Sequence, residues 1–201
     1  MILQNIELSD FRNYTNAKID FDTGVTAIIG ANGQGKTNLT EALGYLSTMK
    51  SFRGVPTEAM IRDTTHTAFV RAKVRHDDKR EILIEAKLTT QGRNQVLING
   101  VKLPKTRDLL GMVRTTVFSP DDLDLVKGGP HLRRDFMDDS LVAFAIKYDS
   151  LRLEVDRVVR QRNAVLKQSG GRVNNAVTSM LDLWDEKLIG LGTQLGEARA
   201  N

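Results

Sequence analysis

Cysteine is absent from the 201 residues, and its absence excludes disulfides, thiolate catalysis and cysteine metal sites. An intracellular, reducing home is compatible with that composition. Histidine is scarce as well: His66, His76 and His131 are scattered, and no pair of them has metal-ligand spacing. The opening stretch Met1-Ile2-Leu3-Gln4-Asn5-Ile6-Glu7-Leu8 lacks a basic region followed by a long apolar one, and no apolar run approaches membrane-spanning length. The expectation is a soluble, cytoplasmic protein. Strong charge of either sign is also missing. A formal charge of +4 and a pI near 9.4 permit a polyanionic partner without demanding one. The length suffices for one large domain or two small ones with a buried core.

What the sequence does contain is Gly30-Ala31-Asn32-Gly33-Gln34-Gly35-Lys36-Thr37, which fits the phosphate-loop pattern G-x-x-x-x-G-K-S/T at every fixed position. Val25-Thr26-Ala27-Ile28-Ile29 before it reads as a buried strand, and the stretch from Thr37 to Leu46 after it reads as a helix. Glycines let successive N–H groups curl into an anion nest, and the helix adds its positive N-terminal end. Lys36 is expected to reach the β- and γ-phosphates, and the Thr37 hydroxyl to ligate a Mg²⁺ bridging them.

Elsewhere the pattern changes twice. Residues 2–8 and 17–21 alternate apolar with polar, and Asp10-Phe11-Arg12-Asn13-Tyr14 connects them as a hairpin. Strand-like segments follow at 68–75 and 81–88, and Asn99-Gly100 separates two short apolar runs, a strong hairpin signal. An antiparallel sheet is expected here, with a further strand at 113–118. From His131 no glycine or proline intervenes until Ser169-Gly170-Gly171. Phe144, Tyr148, Leu151, Val155, Val158 and Val165 keep four-then-three spacing, broken only by Arg162. Val177, Leu181, Trp184, Leu188, Leu191 and Leu195 repeat it beyond the glycines. Two such seams predict an antiparallel helical hairpin. This arm carries Arg152, Arg157, Arg160, Arg162, Lys167 and Arg172 against Glu154 and Asp156. Two meanings are open: a solvated face, or a face that contacts DNA phosphates through Arg152, Arg157 and Arg160.

Six segments spread along the chain together resemble the RecF family, bacterial DNA replication and repair proteins related to the SMC-type ATPases. They are Leu8 to Tyr14, Gly30 to Asn38, Lys50-Ser51-Phe52-Arg53, Phe118-Ser119-Pro120-Asp121-Asp122-Leu123, Val126-Lys127-Gly128-Gly129-Pro130 and Arg133-Arg134-Asp135-Phe136-Met137-Asp138. The resemblance implies an α/β fold, the N-terminal part of an ABC-type P-loop ATPase head with mixed and antiparallel sheet around the P-loop helix. Residues 1–130 form the lobe and 131–201 a helical arm that begins a second lobe. It further implies ATP and Mg²⁺ as ligands and Asn38, Arg12 and Asn13 as additional nucleotide contacts. A surface arginine at a strand end is the other reading of Arg12. Implied for the parent protein are weak DNA-dependent ATP turnover, an ATP-dependent homodimer, double-stranded and gapped DNA, and RecR and RecO as partners in recombinational repair.

The pattern departs from that family twice. Many ABC-type relatives carry a Mg²⁺-contacting glutamine after the strand expected at 113–118. Here the residues are Ser119-Pro120-Asp121-Asp122, with Asp121 the only suggested substitute, acting through a water. No signature loop and no apolar strand ending in Asp-Glu is present, so the chain reads as an N-terminal fragment of about half a protein with no catalytic residue of its own. The alternatives are another P-loop phosphotransferase, such as a small-molecule kinase or a GTPase, whose N-K-x-D base-reading motif is missing, or a non-catalytic nucleotide-binding dimerisation module.

Overall fold

The computed structural model describes residues 1–170, 172 and 174–200, apart from the side chains of Asp121 and Asp124. The chain divides into two compact units, Met1–Asp121 and Asp122–Asn201.

The first unit is built on a period of two. Strands β3 (Thr67–Arg75) and β4 (Glu81–Thr89) alternate buried and partly exposed residues along most of their length, so each offers one apolar face to a core. They join β1 (Ile2–Phe11), β2 (Tyr14–Asp20), β5 (Gln95–Ile98) and β6 (Val101–Lys102) in one sheet of order β2-β1-β3-β4-β5-β6. Every pairing in it is antiparallel. Asn99-Gly100 forms the expected two-residue turn, with φ of 50° and 79°, the doubly positive geometry that the sequence Asn-Gly favours. Asn99 Oδ1 also accepts from the Leu83 N–H at 2.8 Å, which ties the turn to β4.

Helix α1 (Lys36–Thr48) covers the apolar face. Its Leu39, Ala42 and Leu46 share one helical stripe and join Ile6, Leu8, Val70, Ile84 and Leu88 in the core. The helix ends at Met49, whose left-handed backbone (φ 56°) turns the chain while its N–H bonds Tyr45 O at 2.7 Å. Residues 57–62 lie along the end of β1: Arg12 N–H donates to Met60 O at 2.8 Å and Arg62 N–H to Asp10 O at 2.9 Å.

Two expected strands are not formed. Residues 25–29 run into the phosphate loop without strand pairing, with Val25 99% and Ile29 90% exposed. A buried strand needs hydrogen-bonded neighbours and covered faces, and no strand of this sheet pairs with that segment. Of the mixed and antiparallel sheet expected around α1, the described residues form an antiparallel sheet of six strands. Residues 114–118 likewise have no strand partner, and Phe118 is 88% exposed. That segment is fastened to α1 instead, through a 2.5 Å hydroxyl contact between Thr115 and Ser47.

The second unit has four helices among the described residues: α2 (Asp124–Lys127), α3 (Pro130–Phe144), α4 (Lys147–Ser169) and α5 (Asn175–Ala200). Pro130 opens α3, where its lack of an N–H costs nothing. The antiparallel pair α4 and α5 carries the two expected seams: Val158 and Leu195 are buried, and Tyr148, Leu151, Val155, Val165, Val177, Leu181, Trp184, Leu188 and Leu191 half-buried. Arg162, the break in the first seam, bridges the two helices by pairing with Asp185. The linking turn at Gly170 is left-handed, while Gly171 lies outside the described residues.

The stretch from His131 to Ser169, free of glycine and proline, holds two helices. Ala145, with extended backbone (φ −151°, ψ 120°), ends α3 and redirects the chain. Phe144 is consequently 81% exposed and off the seam. Ion pairs between helices hold α3 in place: Arg199 bonds both oxygens of buried Asp138 at 2.7 and 2.8 Å, and Arg152 bonds Asp139 at 2.6 Å. Among the described residues no helix is long and apolar enough to cross a membrane.

The burial pattern of β4 yields a stability test on a single strand. Leu88→Ala, at a fully buried position, should cost about 2–5 kcal/mol in urea unfolding. Leu83→Ala, at a position 38% exposed, should cost well under about 1.5 kcal/mol.

Candidate functional site

The phosphate loop, Gly30 to Thr37, delivers the chain to the N-terminus of α1. The N–H groups of Lys36, Thr37 and Asn38 open the helix, where no carbonyl four residues back can accept them in helical geometry. Leu39 N–H makes the first helical bond, to Gly35 O at 3.0 Å. Lys36 Nζ donates to the carbonyls of Gly30 and Ala31, both at 2.8 Å, and so lies across the mouth of its own loop. Asn32, Gly33, Gly35, Lys36, Thr37 and Asn38 line a cleft of about 300 Å³ together with Arg53. Ala31, Gln34 and the Thr37 side chain are exposed or partly so. Two cations, a helix N-terminus and an exposed threonine, with no carboxylate among the described lining residues, make a receptor for a polyphosphate.

The turn between β1 and β2 presses on that loop. Tyr14 OH donates to Gly35 O at 3.1 Å, and Asn38 Nδ2 donates to Asn13 Oδ1 at 2.8 Å. Gly35 is required here twice over. Its φ is 101°, and a Cβ would lie 2.7 Å from Asn13 Oδ1 and 3.1 Å from the Tyr14 ring.

Arg12 and Asn13, expected as nucleotide contacts, border a second cleft of about 550 Å³ with Asn38, Ala59, Ile61, Arg62, Asp63 and Thr64. Asn38 is common to both clefts. The Arg12 guanidinium is already engaged. Nε donates to Glu41 Oε2 at 2.8 Å, Nη2 to Glu41 Oε1 at 2.7 Å and Nη1 to Ala59 O at 2.6 Å. Glu41, with a side chain 0% exposed, also accepts from Ser51 Oγ and has Arg53 Nη1 at 3.7 Å. Arg53 in turn donates to Asn38 Oδ1 at 3.1 Å.

Burial pushes the Glu41 carboxyl pKa up, but the hydrogen bonds from Arg12 and Ser51 and the charges of Arg12 and Arg53 outweigh it. The net result is a carboxyl held below its ordinary value.

Glu41, Ser51, Arg53 and Tyr14 are not singled out as site residues by the sequence. For Glu41 helical periodicity gives no signal: two residues beyond Leu39, it sits about 200° round the helix, away from the stripe of Leu39, Ala42 and Leu46. Its partners come from segments 29 residues before it and 10 after it in the chain, so the sequence does not display them together.

The three arm arginines differ from one another. Arg152 is held by Asp139 and, at 3.0 Å, by Asp149. Arg157 and Arg160 are exposed on α4 with no ion-pair partner among the described residues. The side chain of Asp121 lies outside the described residues. Among the described residues no group of three or more His, Asp or Glu side chains is placed to hold a metal ion.

The low pKa of Glu41 gives a pH test with a definite sign. A carboxyl depressed in the folded state contributes stability that is fully present above about 4.5 and is lost as pH falls through the lower folded value. Glu41→Gln, which leaves Arg12 facing a neutral amide, should cost about 3 kcal/mol at pH 7 in urea unfolding. The gap to the wild-type chain should close on acidification below about 4.5.

Comparison with known proteins agrees with this geometry. The RecF/RecN/SMC N-terminal domain model matches residues 2–179. The DNA replication and repair protein RecF of Cutibacterium acnes is 40% identical over 204 residues, covering 99% of this chain and 52% of the relative. RecF of Nocardioides sp. is 46% identical over 167 residues, covering 83% of this chain and 40% of the relative. The chain thus spans about half the length of the curated relatives it matches. Among solved structures, the recombination mediator protein RecF bound to ATP in the RecFOR pathway superposes with a TM-score of 0.91 at 33% identity, over 99% of this chain and 53% of that one. An SMC ATPase structure superposes at 0.56 with 24% identity, over 68% of this chain and 98% of that one, which shows the head fold alone. The likeness to RecF drawn from the six sequence segments holds over the whole chain, and the chain belongs to the RecF/RecN/SMC N-terminal domain family.

Proposed function

We propose that this chain is the ATP-binding part of a RecF-like DNA-binding ATPase that acts in recombinational repair of gapped DNA and in replication-fork maintenance. The observation that carries this reading is the cleft of Asn32, Gly33, Gly35, Lys36, Thr37, Asn38 and Arg53 at the start of α1. Its two cations and open helix N-terminus match a triphosphate in charge and directionality. The second cleft, sharing Asn38 and bordered by Arg12, Asn13 and Asp63, gives the nucleoside a place next to the phosphates. A solved RecF structure with ATP superposes on this chain.

The residues present fit a magnesium nucleotide. Thr37 is exposed at the first turn of α1, a position from which its hydroxyl would ligate Mg²⁺. When bound, Mg²⁺ neutralises phosphate charge and orients the terminal phosphate. Lys36 would exchange the carbonyls of Gly30 and Ala31 for phosphate oxygens, a stronger charge-assisted pairing. Gly30 to Asn38 hold and orient the nucleotide. The parent protein turns ATP over slowly and in response to DNA, and it closes as an ATP-dependent homodimer in the cytoplasm. Residues of a signature loop and an Asp-Glu strand complete its catalysis. RecR and RecO are its partners on gapped DNA. Within the arm, Arg157 and Arg160 are the arginines that meet phosphate, since Arg152 is committed to Asp139 and Asp149.

Two measurements test the reading. Lys36→Ala should abolish ATP binding by the isolated chain in calorimetry, and an unchanged affinity would refute the phosphate-loop assignment. Reversing charge at Arg157 and Arg160 in the full-length protein should weaken DNA binding uniformly across sequences. It should also flatten the slope of log K against log salt by about 1 for each DNA phosphate that is no longer neutralised. An unchanged slope returns both arginines to a solvated face.

A further inference from the structure

We propose that Glu41 is a positioning residue for the nucleotide site. It is a buried carboxylate outside the lining of both clefts that sets the shape of the phosphate loop by gripping the β1–β2 turn. The inference rests on the reading of that loop as an ATP site.

The grip is a two-point one. Arg12 Nε and Nη2 meet the two Glu41 oxygens at 2.8 and 2.7 Å, a paired geometry that fixes orientation as well as distance. Arg12 is fastened on its other side by its Nη1 bond to Ala59 O and its N–H bond to Met60 O. Its backbone is left-handed, with φ of 53°, a conformation that a residue with a Cβ keeps only when its surroundings hold it. The next two residues transmit the position. Asn13 occupies the space where a Cβ on Gly35 would go, and Tyr14 OH bonds Gly35 O. Gly35 is the last loop residue before Lys36 and caps α1. A continuous set of contacts therefore runs from Glu41 through Arg12, Asn13 and Tyr14 to the backbone that presents N–H groups to phosphate.

Other roles for Glu41 predict other signs. If it mattered only as a negative charge near a polyanion site, neutralising it would tighten nucleotide binding. If it served stability alone, affinity in the folded chain would not change. A positioning role predicts weaker binding that shares its cause with removal of the Tyr14 bond.

The experiment is ATP titration by calorimetry, with Mg²⁺, of the 201-residue chain as wild type, Glu41→Gln, Tyr14→Phe and the double variant, at a temperature where each is folded. The expected result is a loss of about tenfold for Glu41→Gln and about fivefold for Tyr14→Phe, with the double variant no weaker than Glu41→Gln alone. Unchanged or tighter binding by Glu41→Gln, or losses that multiply in the double variant, overturns the proposal. Should Glu41→Gln not fold, Tyr14→Phe decides: it removes one hydroxyl, and undiminished affinity shows that the turn does not shape the loop. If the wild-type chain fails to bind ATP, the ATP reading falls and this inference with it. Tight wild-type binding with insensitive variants overturns the positioning role and leaves the ATP reading standing.

Discussion

The ion pair between Arg12 and Glu41 is the constraint on which the first unit depends, because it lies where the sheet, the phosphate loop and the helix core meet. A carboxylate taken wholly out of water is costly unless its lone pairs are filled. Here three groups fill them or lie close by: a guanidinium with two donors, a serine hydroxyl and a second guanidinium at longer range. Those partners come from the β1–β2 turn and from the segment after α1. Once they converge, neither segment can move without exposing a buried charge. The same helix that buries Leu39, Ala42 and Leu46 thus also keeps its N-terminus registered against the loop.

The sheet provides what this arrangement needs beneath it. Its six antiparallel strands present one apolar face to α1, and the outer face is satisfied by cross-strand pairs such as Arg71 with Glu85 and Lys73 with Glu81. Those exposed pairs are worth little each, and the core carries the stability. A rigid floor under α1 is useful because a phosphate site works through oriented dipoles, which lose their advantage when they must reorganise. The two segments without strand partners, 25–29 and 114–118, lie before and after α1 in sequence without joining this sheet.

The second unit shows how positive charge in a sequence is redistributed by folding. Of the cations gathered on the arm, Arg152 and Arg162 are absorbed into ion pairs with Asp139, Asp149 and Asp185, and Arg199 is locked on Asp138. What remains outward on α4 is a narrower set that includes Arg157 and Arg160. Charge summed along α4 alone overstates its basic face, since Asp139 and Asp185, on other helices, neutralise part of it.

Local pattern alone determined a good deal of this protein. The alternation of β1, β3 and β4, the Asn-Gly turn, the extent of α1, the phosphate loop and the two seams of α4 and α5 are each properties of short stretches, set by side-chain periodicity and backbone preference. Tertiary structure decided the rest. Whether 25–29 and 114–118 become strands depends on partners across a sheet. The break at Ala145 has no glycine or proline to announce it and is held by Asp138 with Arg199 and Asp139 with Arg152. The grouping of Arg12, Glu41, Ser51 and Arg53 follows from long-range closure of the β1–β2 turn onto α1. Periodicity speaks of which face a residue occupies, and only the packed chain decides which charges meet there.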